Sequence, residues 1–141
     1  MQITFIGAGN IGGATAIGLA KSGAVAPSDI TVTARHESSL EKFKALGLNT
    51  LTDNVAAVRG ADIVFIAVKP WIVEEVLKEV RDPLDYSTQM LVSIAPGIKP
   101  AQFDEWLSKD GSLPEMAYMI PNTAIEICQS MTFISPINAS E

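Results

Sequence analysis

Cysteine and histidine are almost missing from this sequence: each occurs once, as Cys128 and His36. One of each cannot supply a usual zinc site, so no metal is expected. A lone cysteine also excludes an internal disulfide, which suits a reducing compartment and predicts a cytoplasmic protein. Positive charge is scarce as well. Ten Lys and Arg face sixteen Asp and Glu, the formal net charge is −6, and no basic run is visible. A nucleic-acid partner is therefore not expected. No apolar run is long enough to span a bilayer, which argues against a membrane partner. Met1 leads straight into a strand pattern rather than into a signal peptide. No repeat, no low-complexity segment and no Ser-His-Asp arrangement stands out. The Asn138-Ala139-Ser140 triplet fits a glycosylation pattern that carries no meaning in a cytosolic chain. Any chemistry is then borrowed from a cofactor.

What the chain does have is an apolar composition of 48% over 141 residues, enough for one core and one domain. Its organising stretch is Phe5-Ile6-Gly7-Ala8-Gly9-Asn10-Ile11-Gly12-Gly13-Ala14. The apolar run Gln2 to Ile6 precedes it as a strand, and small and apolar residues from Asn10 to Lys21 follow as a helix. The glycines are spaced G-x-G-x-x-G, a dinucleotide-binding fingerprint in this strand-turn-helix setting. Gly7 allows the tight turn and Gly12 close helix packing. Gly9 lets the backbone approach a pyrophosphate, and its backbone angle is expected to be closed to valine. The helix start offers free N–H groups to the phosphates.

The rest of the chain alternates strand and helix. Strands are predicted at Ile30–Ala34, Leu48–Leu51, Asp62–Val68, Met90–Ile94 and Glu115–Met119, with a possible seventh at Met131–Ile134. Gly23 is predicted to stop the first helix. A second helix is capped by Ser38 or Ser39, with Leu40, Phe43 and Leu46 on one face. Further helices cover Asp53 to Arg59, the segment after Pro70, and Pro100 to Ser108. Trp71 and Trp106 are read as packing residues, and Cys128 as a core or structural residue. This order predicts an α/β doubly wound parallel sheet, a Rossmann-type dinucleotide-binding domain.

In such a sheet the ligand lies outside the carboxyl ends of the strands, between the first and the fourth. The loops expected there carry Gly7 to Gly12, Arg35-His36, Lys69-Pro70, Ala95-Pro96-Gly97 and Pro121-Asn122-Thr123. NAD binders usually end the second strand with a carboxylate that accepts from the ribose hydroxyls. Here Ala34-Arg35-His36 stands instead. Arginine binds a 2′-phosphate bidentately, so NADP, as NADPH, is the expected cofactor, with NAD the alternative. His36 is read as an ordinary surface residue. For Lys69 two readings stay open: its cation reaches the cofactor, or the backbone of Ala67 and Val68 does. Asn122 and Thr123 either hydrogen-bond a substrate or shape their turn.

Together, Ile6 to Ile11, Ala67-Val68-Lys69-Pro70, Ser93-Ile94-Ala95-Pro96-Gly97-Ile98 and Ile120-Pro121-Asn122-Thr123 resemble the motifs of the pyrroline-5-carboxylate reductases. The resemblance runs over nearly the whole chain. It implies reduction of the C=N bond of 1-pyrroline-5-carboxylate to L-proline with NAD(P)H. It also implies a cofactor site built from Ile6, Gly7, Ala8, Gly9, Asn10, Ile11, Gly12, Arg35, Asn54, Ala67, Val68, Lys69, Pro70, Ile94, Ala95 and Pro96. The chain departs from the family pattern at Pro96, at Ala124 and at Gly12-Gly13. The family further implies a helical C-terminal domain that builds a homo-oligomer and much of the substrate pocket. On that comparison the sequence, ending at Glu141, reads as truncated, and isolated residues 1–141 are expected to be inactive. The alternatives are a non-catalytic NADP(H)-binding or sensing module, and a related NADP-dependent oxidoreductase with another acceptor, such as a deazaflavin.

Overall fold

A computed structural model describes residues 1–138; Ala139 and Ser140 of the glycosylation triplet, and Glu141, lie outside the described residues. The strands are β1 (Ile3–Ile6), β2 (Ile30–Thr33), β3 (Asn49–Leu51), β4 (Ile63–Ile66), β5 (Met90–Ser93), β6 (Glu115–Ile120) and β7 (Phe133–Pro136). The helices are α1 (Asn10–Ser22), α2 (Glu41–Ala45), α3 (Asn54–Val58), α4 (Val73–Val80) and α5 (Pro100–Leu107). One sheet forms in the order β3-β2-β1-β4-β5-β6-β7. β1 to β6 run parallel, and β7 returns antiparallel along β6. The chain order reverses between β1, which is flanked by β2 and β4, and that gap is where a ligand cleft forms.

The expected doubly wound sheet is present, with differences at its edges. β7 starts at Phe133 and is antiparallel, because it follows β6 without a crossover helix. β4 is shorter than its apolar run, since its pairing with β1 ends at Ile6↔Ile66. The second helix is entered through a 3-10 turn at Glu37–Leu40, no side chain caps it, and Leu46 is exposed.

Strand side chains alternate between two cores. Ile3, Phe5, Ile30 and Val32 pack with Ala16 and Ile17 of α1 and Phe43 of α2. Ile6, Val64, Ile66 and Leu91 pack with Val58 of α3, with Val73, Val76, Leu77 and Val80 of α4, and with Phe103 and Trp106 of α5. Full burial of one such large side chain contributes about 1.5–3 kcal/mol. Trp106 is a packing residue, whereas Trp71 is 77% exposed and does not pack as the sequence suggested. It lies on a 3-10 turn, Pro70–Ile72, before α4 takes over with its own buried stripe.

α1 has no polar face because it is covered on two sides. Gly12 to Gly18 are all buried. The sheet lies on one side, and on the other a 3-10 turn, Thr123–Ile127, packs close enough for a Cβ at Gly18 to collide with the Ile125 carbonyl. Cys128 ends that turn at φ +59 and is exposed, so it is not a core residue; its thiol donates to the Gly18 carbonyl. On the opposite face, the Thr4 hydroxyl donates to the Ala57 carbonyl, and Gln89 Nε2 donates to the Val58 and Ala61 carbonyls. The bonds to Ala57 and Val58 satisfy the last carbonyls of α3, and so fix the short helix that carries Asn54 at its start.

Candidate functional site

The carboxyl ends of β1, β2, β4 and β5 open into one cavity of about 700 Å³. That size suits a small-molecule or cofactor site. Its floor is the β1–α1 loop. Gly7 holds φ +111, and a Cβ there would lie 2.7 Å from the Ala67 carbonyl oxygen. Only glycine fits both conditions. A Cβ at Gly12 would lie 2.6 Å from the Ala67 Cβ and 2.7 Å from the Gly7 oxygen, so Gly12 seats α1 against the end of β4. Gly9 is different. Its φ is −70 and ψ −176, an extended conformation open to any residue, and nothing lies within 4 Å of its Cβ position. The expected backbone constraint at Gly9 is therefore absent. What glycine provides there is open space in the cavity itself.

Gly9 is also the N-cap of α1. No side chain bonds to the helix start and no acidic residue sits in its first turn. The first N–H groups of a helix lack partners within it and carry a partial positive charge. They face a cavity lined by Arg35, His36 and Lys69 and by no Asp or Glu among the described residues. In a chain of net charge −6, this is a local reversal of sign. It suits an anionic ligand, and the loop shape suits a pyrophosphate.

All of Ile6, Gly7, Ala8, Gly9, Asn10, Ile11, Gly12, Arg35, Asn54, Ala67, Val68, Lys69, Pro70, Ile94, Ala95 and Pro96 line this cavity. Thr123 lines it too, while Asn122 does not. Asn122 caps the Thr123–Ile127 turn instead, its side-chain oxygen accepting from the Ala124 N–H at 3.1 Å. Sequence reading missed Thr33, Ala34, Thr52, Ile72 and Val76, and treated His36 as ordinary surface; all of them line the cavity, as does Ser39. Thr33 and Ala34 were legible as the end of the second strand. Ile72 and Val76 were legible only as a helix face, because the same stripe serves both core and cavity.

Asn54 is held at both ends of its amide. Its Oδ1 accepts from the Thr33 hydroxyl at 2.7 Å, and its Nδ2 donates to Glu79 Oε2 at 3.1 Å. The neighbouring Asp53 caps α3 by accepting from the Ala56 N–H. The cavity thus has a polar end at Arg35, Ser39, Thr52 and Asn54, a floor of glycine-loop backbone at the helix start, and a largely apolar end at Ile94, Ala95 and Pro96.

A family model described as NADP oxidoreductase coenzyme F420-dependent matches residues 2–97. The chain is 32% identical over 136 residues to a pyrroline-5-carboxylate reductase of Methanosarcina acetivorans, covering 96% of this chain and 49% of that protein. The solved structure of a pyrroline-5-carboxylate reductase from Coxiella burnetii aligns with a TM-score of 0.88 at 30% identity, covering 99% of this chain and 51% of that one. A pyrroline carboxylate reductase of Plasmodium falciparum, solved with NADP bound, aligns with a TM-score of 0.80 at 23% identity, over 96% of this chain and 48% of that one. At that identity the likeness speaks for the fold alone. The chain spans about half the length of these relatives.

Proposed function

We propose the function from the family: the chain belongs to the NADP oxidoreductase coenzyme F420-dependent family, and we read it as the NADPH-binding domain of a pyrroline-5-carboxylate reductase. The observation that carries this reading is a cavity whose lining includes no Asp or Glu among the described residues, and which joins a helix start, Arg35 and Lys69 to an apolar end at Ile94–Pro96. Each region suits one part of the cofactor. The N–H groups after Gly9 would bind the pyrophosphate. Arg35 and Ser39 would meet the adenosine ribose and its 2′-phosphate, and the backbone of Ala67 and Val68 would run beside the ribose. Ile94, Ala95 and Pro96 would flank the nicotinamide, where apolar contact keeps water from the transferred hydride.

NADPH, when bound, would supply that hydride to the C=N carbon of 1-pyrroline-5-carboxylate, and with a proton added at the ring nitrogen the product is L-proline. The substrate end has little of its own. Thr123 offers one hydroxyl there, and among the described residues Arg35 and Lys69 are the only Lys or Arg that line the cavity. A helical C-terminal domain of the kind the resemblance implies would therefore supply the carboxylate clamp, the proton for the ring nitrogen and the homo-oligomer contact. A cytoplasmic location belongs to the same reading; no helix among the described residues is long and apolar enough to cross a membrane. The thin substrate end also favours a second reading, a domain that binds NADP(H) without catalysis. The deciding experiment is NADPH oxidation by the longest natural form of the chain with 1-pyrroline-5-carboxylate added. Turnover supports the reductase. NADPH binding without turnover in that form supports the second reading.

A further inference from the structure

The Thr33–Asn54–Glu79 chain of hydrogen bonds brings a carboxylate to the adenosine end of the cleft from an unexpected direction. Glu79 lies on α4, three residues after Val76, and positions three apart on a helix lie side by side. Val76 lines the cavity, and Glu79 reaches Asn54 at its edge. Asn54 in turn bonds Thr33, two residues before Arg35 at the end of β2. An amide has two N–H groups and two oxygen lone pairs. One N–H is committed to Glu79 and one lone pair to Thr33. One donor and one acceptor remain.

A ribose hydroxyl both donates and accepts, and so matches both remaining positions. A phosphate ester can only accept. It would use the N–H alone, and it would feel the Glu79 charge against the pull of Arg35. Resting on the NADPH reading above, we propose that Glu79 is a positioning and specificity-determining residue: it fixes the Asn54 amide and, through its charge, restrains the preference for the 2′-phosphate that Arg35 creates.

The test is a set of titrations of the 141-residue chain with NADPH, NADH, 2′,5′-ADP and 5′-AMP at low and high salt. Glu79→Gln keeps an acceptor for Asn54 and removes the charge. It should raise the ratio of NADH to NADPH dissociation constants by about two- to fivefold at low salt, the range expected for one exposed charge pair. The same shift should appear between 5′-AMP and 2′,5′-ADP, and it should fade at high salt as the charge is screened. Glu79→Ala also frees the amide, so NADH should bind more weakly than it does to Glu79→Gln. An unchanged ratio in Glu79→Gln, or a shift that ignores salt, would overturn the proposal while leaving the dinucleotide reading intact. Failure of the unaltered chain to bind any of these ligands would overturn both.

Discussion

Replacing Gly9 with valine should separate binding from folding. The backbone at Gly9 is extended, with φ −70, and no atom lies within 4 Å of the Cβ position. Valine therefore fits without strain. The remaining cost is at the N-cap, where valine is less favourable than glycine by about 1 kcal/mol or less. A few degrees of melting temperature is the largest loss expected. Binding is another matter, because the branched side chain projects into the space a pyrophosphate would fill. Each charge-assisted hydrogen bond from a backbone N–H to a phosphate contributes about 1.5–3 kcal/mol, so losing one weakens affinity about ten- to a hundredfold. Gly12→Val is the control. Its Cβ would stand 2.6 Å from the Ala67 Cβ, and such overpacking costs about 1–3 kcal/mol, so this variant should lose stability. Calorimetric titration with NADPH and thermal unfolding, run on both variants, read the two effects apart. Unchanged NADPH affinity in Gly9→Val would refute the reasoning, for the open space at Gly9 would then not be where the cofactor lies.

At the other end of the cleft, Arg35→Asp should abolish the preference for NADPH over NADH, with NADPH affinity falling about tenfold or more as a like charge meets the 2′-phosphate. Paired titrations measure it, and an unaltered preference in the variant would sink the role given to Arg35. A separate prediction concerns alkali. The Tyr86 hydroxyl donates to the Leu107 carbonyl, and its phenol is pushed from 10.0 up to about 12, first by burial and then by Asp82, with Arg81 opposing. The unfolded chain releases this proton near its ordinary value while the native chain keeps it. The stabilising contribution is therefore complete below about pH 10 and is lost as the pH rises toward 12. Tyr86→Phe should flatten the fall in stability over that window in urea unfolding; an identical slope in the variant would contradict the assignment.

The fold was largely legible because parallel strands covered on both faces read as apolar runs. The Ile63–Ile66 stretch is the clearest, and the glycine turn after β1 is equally plain. β7 was hard to place for the opposite reason. Phe133 and Ile134 are both exposed, so neither alternation nor a continuous buried run marks the strand or its direction. Trp71 misled because a large aromatic beside a helix usually packs. Here it precedes the buried stripe of α4 and points outward. The loops of the cleft were legible one by one, through glycine, proline and a missing carboxylate. The bonds that fix Asn54 were not, since they join β2, α3 and α4 across gaps of 21 and 25 residues. No local pattern encodes a contact of that kind.

We propose that the cleft between β1 and β4 binds NADPH and that turnover needs more than these 141 residues. Positioning a small imine against the nicotinamide can contribute about 7–11 kcal/mol of the barrier at best, and among the described residues the Thr123 end of the cavity offers few polar groups for it. The direct test is one preparation of the chain measured twice: fluorescence titration with NADPH, then NADPH oxidation with 1-pyrroline-5-carboxylate added. Saturable binding, tighter for NADPH than for NADH and with no useful turnover, is the predicted result. An absence of binding would contradict the account at its base, and turnover close to that of a two-domain pyrroline-5-carboxylate reductase would place the complete active site within residues 1–141.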